Sequence, residues 1–222
     1  MAYGLGEDIK EVYTELGSLA TIVNRTPEIE NERVIYEINA QATKPFIREH
    51  HLDATFPYDT QVETGDVIFI EESAKYYMAM NKTAEMFENS KIEWNVVLYL
   101  CNLPVTACFL RPIEVRNPAS YDMVSGWQVF SPPPVYGLLT DRIYGTNVEQ
   151  GEIVGQVPLW RIDCYLPKWY GLKPLDRVFV SSTEYYKVES VENYNYPGVA
   201  VALMVEDTRP YVNVVDGEIY DG

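Results

Sequence analysis

The amino-acid sequence predicts a mainly β protein with two small β-barrel-like domains, a short N-terminal helix and long connecting loops. Residues 66–70 read Asp-Val-Ile-Phe-Ile and are followed by Tyr76-Tyr77; residues 176–180 read Asp-Arg-Val-Phe-Val and are followed by Tyr185-Tyr186. Each copy is typical of a β-hairpin, in which an apolar strand, a polar turn and a second strand follow one another. A pattern that recurs about half a chain apart predicts two related β domains, with chance similarity as the alternative. The aspartate that opens each copy is interpreted as a turn residue and not as a catalytic acid.

One short helix is predicted near the start of the chain. Four apolar residues recur at the spacing of one helix face: Ile9, Val12, Tyr13 and Leu16. Two acidic residues just before Ile9 favour a helix start, and Gly17 is a natural stop. The spacing therefore predicts an amphipathic helix that packs through these four residues.

The domain boundary is predicted in a polar, proline-containing run at residues 114–120. It divides the chain into residues 1–117, a β domain with the short helix, and residues 118–222, a β domain with a long proline-containing arm over 118–158. The apolar run at residues 94–101 predicts a strand that is buried on both faces. The arm contains enough tyrosine, valine and leucine to favour a binding loop over a plain linker.

Composition limits the possible functions. The chain of 222 residues has 17 basic and 33 acidic residues and a net charge of −16, so it lacks the basic surface of a general nucleic-acid binder. Such acidity is typical of a soluble surface, or of a wall that DNA passes without sticking. The three cysteines have no metal-binding spacing and are predicted to be reduced. Neither a signal-peptide pattern nor a membrane-spanning apolar run is found, which predicts a protein assembled in the cytoplasm with no membrane partner.

The sequence contains no recognisable catalytic or phosphate-binding motif, so we predict no enzyme activity, no cofactor and no metal. The one cluster suggestive of such chemistry is Arg48, His50, His51 and Asp53. Adjacent histidines in a strand point to opposite faces, which disfavours a shared metal and favours an interface-facing loop. A glycosidase needs only two carboxylates, and no pair stands out among the 33 acids. In the acidic tail, residues 216–221 miss the spacing of a calcium loop.

Several turn and strand positions resemble a known family. In the C-terminal block these are residues 176–180, 185–188, 196–198, 199–205 and 206–209; in the N-terminal block they are the helix, residues 65–68, the long strand and residues 110–112. They resemble the head-completion, or stopper, proteins of tailed bacteriophages, over most of the chain outside residues 120–158. Stoppers are commonly one small β-barrel, so the resemblance implies a duplicated domain in a fused stopper, an adaptor or a tail-side connector.

The resemblance implies a structural virion component in the phage neck. Such proteins form rings, usually sixfold or twelvefold, that retain DNA and join head to tail. The implied partners are other copies of the chain, portal or adaptor proteins, tail-tube or tail-terminator proteins, and genomic DNA that passes without sequence-specific binding. Rings need heterologous interfaces, for which the candidate residues are Phe46, Arg48, His50, His51, Phe56, Tyr58, Phe130, Tyr136, Leu138 and Tyr144. Self-packed surface loops are the alternative for these segments.

A second function class stays open. A β-rich binding module, such as a carbohydrate- or receptor-binding virion protein, would fit the same strand pattern. It predicts an exposed aromatic platform and a measurable affinity for glycans. A hydrolase is the third possibility.

Overall fold

The computed structural model describes residues 5–38, 50–116, 123–131, 134–141, 161–181, 184–207, 213–215 and 218–220. Helix α1 (Leu5–Leu16) is followed by β1 (Ser18–Ile22), β2 (Ile29–Ile38), β3 (His51–Pro57), β4 (Val67–Ile70), β5 (Lys75–Phe87) and β6 (Ser90–Leu100). The later strands are β7 (Cys108–Arg116), β8 (Met123–Ser131), β9 (Leu138–Asp141), β10 (Arg161–Pro167), β11 (Arg177–Ser181), β12 (Glu184–Tyr196), β13 (Val199–Glu206), β14 (Asn213–Val215) and β15 (Glu218–Tyr220). The prediction of a mainly β fold with one short N-terminal helix is confirmed.

Strands β1 to β6 form a closed antiparallel barrel, here called the first unit. The strand order is β1-β2-β3-β6-β5-β4, and β4 pairs back with β1. Alternate residues of each strand point into the barrel. The largest of those that are fully buried in its core are Ile22, Phe56, Ile68, Ile70 and Leu98.

Helix α1 packs on the barrel through a different face from the one predicted. Tyr13 is buried and its hydroxyl donates to Glu93 at 2.8 Å. Val12 is 45% exposed and Leu16 is 76% exposed, so the helix is confirmed but its predicted contact face is half wrong. Lys10 also contacts the first unit, through an exposed ion pair with Asp59 at 2.6 Å.

The later strands form a nine-stranded sheet, here called the second unit, in the order β15-β14-β8-β7-β11-β12-β13-β10-β9. Its middle part, β8-β7-β11-β12-β13-β10, repeats the order β2-β1-β4-β5-β6-β3 of the first unit. Strand β9 lies beside β10, the place that β2 takes beside β3 in the closed barrel. The prediction of two related barrel-like domains is thus supported by topology as well as by the repeated sequence pattern.

The division between the two sheets falls within residues 101–107, ahead of the boundary predicted after residue 117. Strand β7 pairs with β11 and β8, so it belongs to the second unit. The run at residues 114–120 was predicted as the boundary because it is polar and contains Pro118, but residues 114–116 form the end of β7. Strand β11 pairs with β7 only over residues 108–110, so Pro112 lies beyond that pairing, where a proline is tolerated.

The connection between the units is itself hydrogen-bonded to the second unit. The side-chain amide of Asn102 donates to the carbonyl of Leu139 at 2.8 Å and accepts from the Leu139 N–H at 2.7 Å. The backbone N–H of Asn102 donates to the carbonyl of Gly137 at 2.9 Å. Residues 102 and 103 of the connection therefore run beside residues 137–139, at the start of β9. Within the predicted arm, residues 123–131 and 138–141 are strands, and residues 142–158 lie outside the described residues.

Candidate interaction surfaces

An aspartate braces the turn that leads into β4. The carboxylate of Asp66 accepts from Arg25 Nε at 3.1 Å and Nη2 at 2.5 Å, and from the backbone N–H of Glu63 at 2.7 Å. The carbonyl of the same residue accepts from the N–H of Ala79 in β5 at 2.9 Å. Asp66 is 5% exposed. One residue thus ties together its own turn, the loop after β1 and strand β5.

The second unit repeats this arrangement. Asp176 accepts from Arg111 Nε at 2.9 Å and Nη2 at 2.7 Å, and from the N–H of Lys173 at 2.7 Å. Its carbonyl accepts from the N–H of Val188 at 2.8 Å. Charge-assisted bidentate pairs of this kind are strong and geometrically specific. Both aspartates therefore hold the scaffold, as the sequence interpretation proposed.

The two units meet through a buried apolar cluster. Met78 and Met80 on the outer face of β5 are buried against Val199 at the tip of the β12–β13 hairpin. Five partly buried residues from both units surround them: Val97, Tyr99, Cys101, Tyr165 and Tyr196. The inner face of β6 is buried in the barrel, but its outer face is covered by the second unit only near Tyr99, and Asn95 is exposed. The prediction of a strand buried on both faces is therefore correct only for the end of β6.

Main-chain atoms also touch at this interface. A Cβ on Gly65 would lie 2.3 Å from the carbonyl oxygen of Gly198, and a Cβ on Gly198 would lie 1.9 Å from that of Thr64. Both glycines have positive φ, at 91° and 74°. Glycine is required at both positions because a side chain would separate the units.

A row of aromatic rings crosses the interface. The ring of His51 packs edge-on against Tyr99 with centroids 4.2 Å apart, and Tyr99 packs against Tyr165 at 5.5 Å. Burial, with a smaller effect of His50, lowers the pKa of His51 to about 4. His51 is therefore neutral at pH 7 and packs as an aromatic residue.

The matching outer face of the second unit is charged. The repeat places Lys187 at the position of Met78, and Glu189 at that of Met80. Glu189 is exposed, whereas Met80 is 2% exposed. The outer face of β5 is apolar because the second unit covers it, whereas the equivalent face of β12 is charged and carries the exposed Glu189.

A buried ion pair occupies the rest of that charged face. Arg177 binds Asp207 at 2.6 Å, with 4% and 8% of their side chains exposed. The Arg177 guanidinium lies 4.0 Å from the ring centroid of Trp127 in β8. Arg177 matches Val67 of the first unit, so an apolar position has become an ion pair covered by a tryptophan.

The structure separates the predicted interface residues into core and surface. Phe56 is fully buried and Leu138 is 1% exposed, so both are core residues and the prediction is wrong for them. Phe56 was misplaced because residues 51–57 form strand β3, whose alternate side chains point into the barrel. His51 is also buried, beside Tyr99. His50 is half-buried in the turn before β3.

Three other predicted residues lie at or near the surface. Tyr58 donates to Glu7 at 2.5 Å and thereby contacts α1. Tyr136 packs against Tyr76 with ring centroids 5.0 Å apart, between the units. Phe130 lies under the guanidinium of Arg111 at 4.2 Å. Phe46, Arg48 and Tyr144 lie outside the described residues.

A groove of about 490 Å³, which was not predicted, lies on the outer face of β2, β3, β6 and β5. Cross-strand neighbours line it in two rows: Glu37, Asp53, Val97 and Asn81, and beside them Ile35, Thr55, Asn95 and Thr83. Carboxylates, amides and hydroxyls predominate, and Asn95 donates to Glu85 at 2.9 Å. Polar residues at alternate positions of each strand were the only signal in the sequence. They form a groove only because β2, β3, β6 and β5 lie side by side in the barrel.

Within the described ranges, no group of three or more His, Cys, Asp or Glu side chains is arranged to hold a metal ion. In the same part of the chain, no helix has the length and apolarity needed to cross a membrane. Comparison with models of known protein families, with curated proteins and with solved structures gives no match.

Proposed function

We propose that the chain is a structural component of a tailed-phage neck, a ring-forming head-completion protein or head–tail connector that helps to retain DNA and join head to tail. The observation that carries this proposal is that the residues behind the family resemblance build the repeated scaffold. Residues 65–68 and 176–180 form the braced turns and the strands that follow them, and residues 199–205 lie in β13. The residues that carry the resemblance therefore include the same turn and the same following strand in each unit.

Duplication suits a ring subunit. A ring needs two different surfaces on each subunit, because each copy contacts its neighbours through opposite sides. The two units share a strand order but present different faces: the face of Met80 is buried against the second unit, whereas the equivalent face of the second unit, with Glu189, stays exposed. A single chain thus offers unlike surfaces on related scaffolds.

The charge supports a passage for DNA. A net charge of −16 repels phosphate over about one Debye length, roughly 8–10 Å. DNA would then pass the inner wall of a ring without adhering to it.

Deletion of the gene from its phage tests this proposal. We expect DNA-filled heads that lose their DNA or fail to join tails, and we expect wild-type protein supplied from a plasmid to restore intact particles. Labelled protein should be found at the neck. Normal, tailed, infectious particles from the deletion mutant would refute the proposal.

The polar groove supports the second candidate, a carbohydrate-binding module. Its volume of about 490 Å³ is that of a small-ligand site, and amides and carboxylates bind sugar hydroxyls. A glycan array tests it, with the variant N81A/N95A as control for the groove. Binding that the variant loses would favour this function, and an array without binding would exclude it.

A further inference from the structure

Helix α1 leaves part of its apolar face uncovered. Leu5, Val12 and Leu16 lie on one side of the helix and are 37%, 45% and 76% exposed; they are called here the α1 flank. Tyr13 packs on the barrel beside this side. The helix carries four acids and one lysine, and Glu15 is among the exposed acids next to the flank. The flank is therefore an apolar stripe with an acidic border.

The second unit exposes two large apolar side chains and a lysine in the segment 169–175, whose ends Arg111 draws together by binding the Gly171 carbonyl and Asp176. Trp169 and Leu175 are each 56% exposed, and Lys173 is exposed between them in the chain. These three residues are called here the turn patch. The ring of Trp169 stacks on buried Tyr170 with centroids 3.8 Å apart, which holds the indole in place. Residues 168–175 contain two lysines and no acid, in a chain with a net charge of −16.

The conformation of Leu175 marks the turn patch as a contact. Leu175 has φ of 77°, and its counterpart in the first unit is Gly65 with φ of 91°. Both residues donate their N–H to the matching strand, Gly65 to Ala79 and Leu175 to Val188. Bulky residues rarely adopt this left-handed backbone. A leucine held in this conformation with more than half of its side chain exposed is a candidate for a contact outside the chain.

We propose that the α1 flank of one copy docks on the turn patch of a second copy. Leu16 and Val12 would cover Trp169 and Leu175, and Glu15 would pair with Lys173. Both the apolar centres and the charged borders are complementary. Aromatic residues such as Trp169 are typical of the core of an interface.

This contact is heterologous. Each copy uses its first unit on one side and its second unit on the other, so copies join head to tail and the chain of contacts closes into a ring or extends. The inference rests on the proposed function for the ring, but it names the surfaces that form the ring and can fail independently. Phage neck function with ring formation through other residues would leave the proposed function intact.

The test measures the mass of the purified full-length chain from nanomolar to micromolar concentration by mass photometry and sedimentation velocity. Wild type should associate beyond the 25.5 kDa monomer. Leu16→Glu and Trp169→Glu should each abolish that association. Phe87→Glu is the control, because Phe87 is 50% exposed and lies outside both surfaces. Circular dichroism of each variant checks that it is folded.

Mixing gives the decisive result. L16E retains an intact turn patch and W169E an intact α1 flank, so a mixture should form dimers of the two variants and nothing larger. The charge changes E15K and K173E should each weaken association, and the double variant should restore it. A wild type that stays monomeric, variants that still associate, or a mixture that forms larger assemblies would overturn the proposal. Results of the gene deletion are independent of these.

Discussion

Loss of the brace in the second unit should destabilise the protein strongly. The variant Asp176→Ala removes the acceptor of three hydrogen bonds, two of them from Arg111. The Asp176 side chain is 2% exposed, whereas that of Arg111 is 32% exposed. Breaking a buried pair costs about 3–5 kcal/mol. Arg111 regains some water after the change, so we expect a loss near the lower end, about 3 kcal/mol.

Chemical denaturation followed by tryptophan fluorescence measures this loss. Trp94 reports on the first unit, and Trp127 and Trp169 report on the second. For a chain of this size, about 3 kcal/mol corresponds to a fall in Tm of roughly 6–12 °C. A double-mutant cycle with Arg111→Met isolates the pair from the hydrogen bond of Lys173.

The repeat supplies an internal replicate. Asp66→Ala removes the equivalent contacts from Arg25 and Glu63, together with a longer one from Asn24 at 3.3 Å, and should cost a similar amount. A loss below about 1 kcal/mol in either unit would refute the reasoning, because that is no more than an exposed ion pair contributes.

Three further changes test the interface between the units. Gly198→Ala should destabilise more than Gly171→Ala, since both positions have positive φ but only the first would place its Cβ 1.9 Å from a backbone oxygen; thermal unfolding of both variants compares them. Met80→Glu should cost more than about 2 kcal/mol by burying a charge, whereas Glu189→Met at the matching exposed position should change stability little in denaturant titration. The pKa of His51 is about 4 in the folded protein and near 6.5 in the unfolded chain, so the unfolded chain binds more protons between these pH values. The free energy of unfolding should therefore fall by up to about 3 kcal/mol as the pH drops from 6.5 to 4. His51→Gln should flatten this pH dependence.

The sequence was sufficient to predict the fold class because its strand signals are local. The paired hairpins were recognised from the repeated apolar strand, polar turn and tyrosine pair, and both occur as predicted. The apolar run of β6 likewise predicted a strand, but Asn95 is exposed on its outer face, so composition overstated its burial. Local signals of this kind depend on nearest neighbours along the chain.

Contacts between distant segments were the harder part. Val12 and Leu16 have the spacing of a core face, yet the barrel contacts α1 mainly through Tyr13 and Lys10. The spacing identifies an apolar face but not how much of it a partner covers. Phe56 was predicted to lie in a surface loop because two histidines precede it and Pro57 follows it, a composition that is not typical of a strand.

The interface between the units could not be predicted for a related reason. Met80 looks like any apolar strand residue, and its role is visible only when Glu189 is found at the equivalent place. The groove could not be predicted either, because its lining residues come from four strands and no single strand indicates it. Both depend on which strands become neighbours, and that is decided by the whole fold.

The connection along β9 has a mechanical consequence. Asn102 joins it to Leu139 through two side-chain hydrogen bonds, and Gly65 and Gly198 hold the units together through backbone atoms. A pull on one unit would reach the other through the hydrogen-bonded connection and through the close backbone packing at Gly65 and Gly198, and not through a slack tether. We therefore expect the two barrels to carry load as a single stiff body, whose joint resists tension and twisting alike.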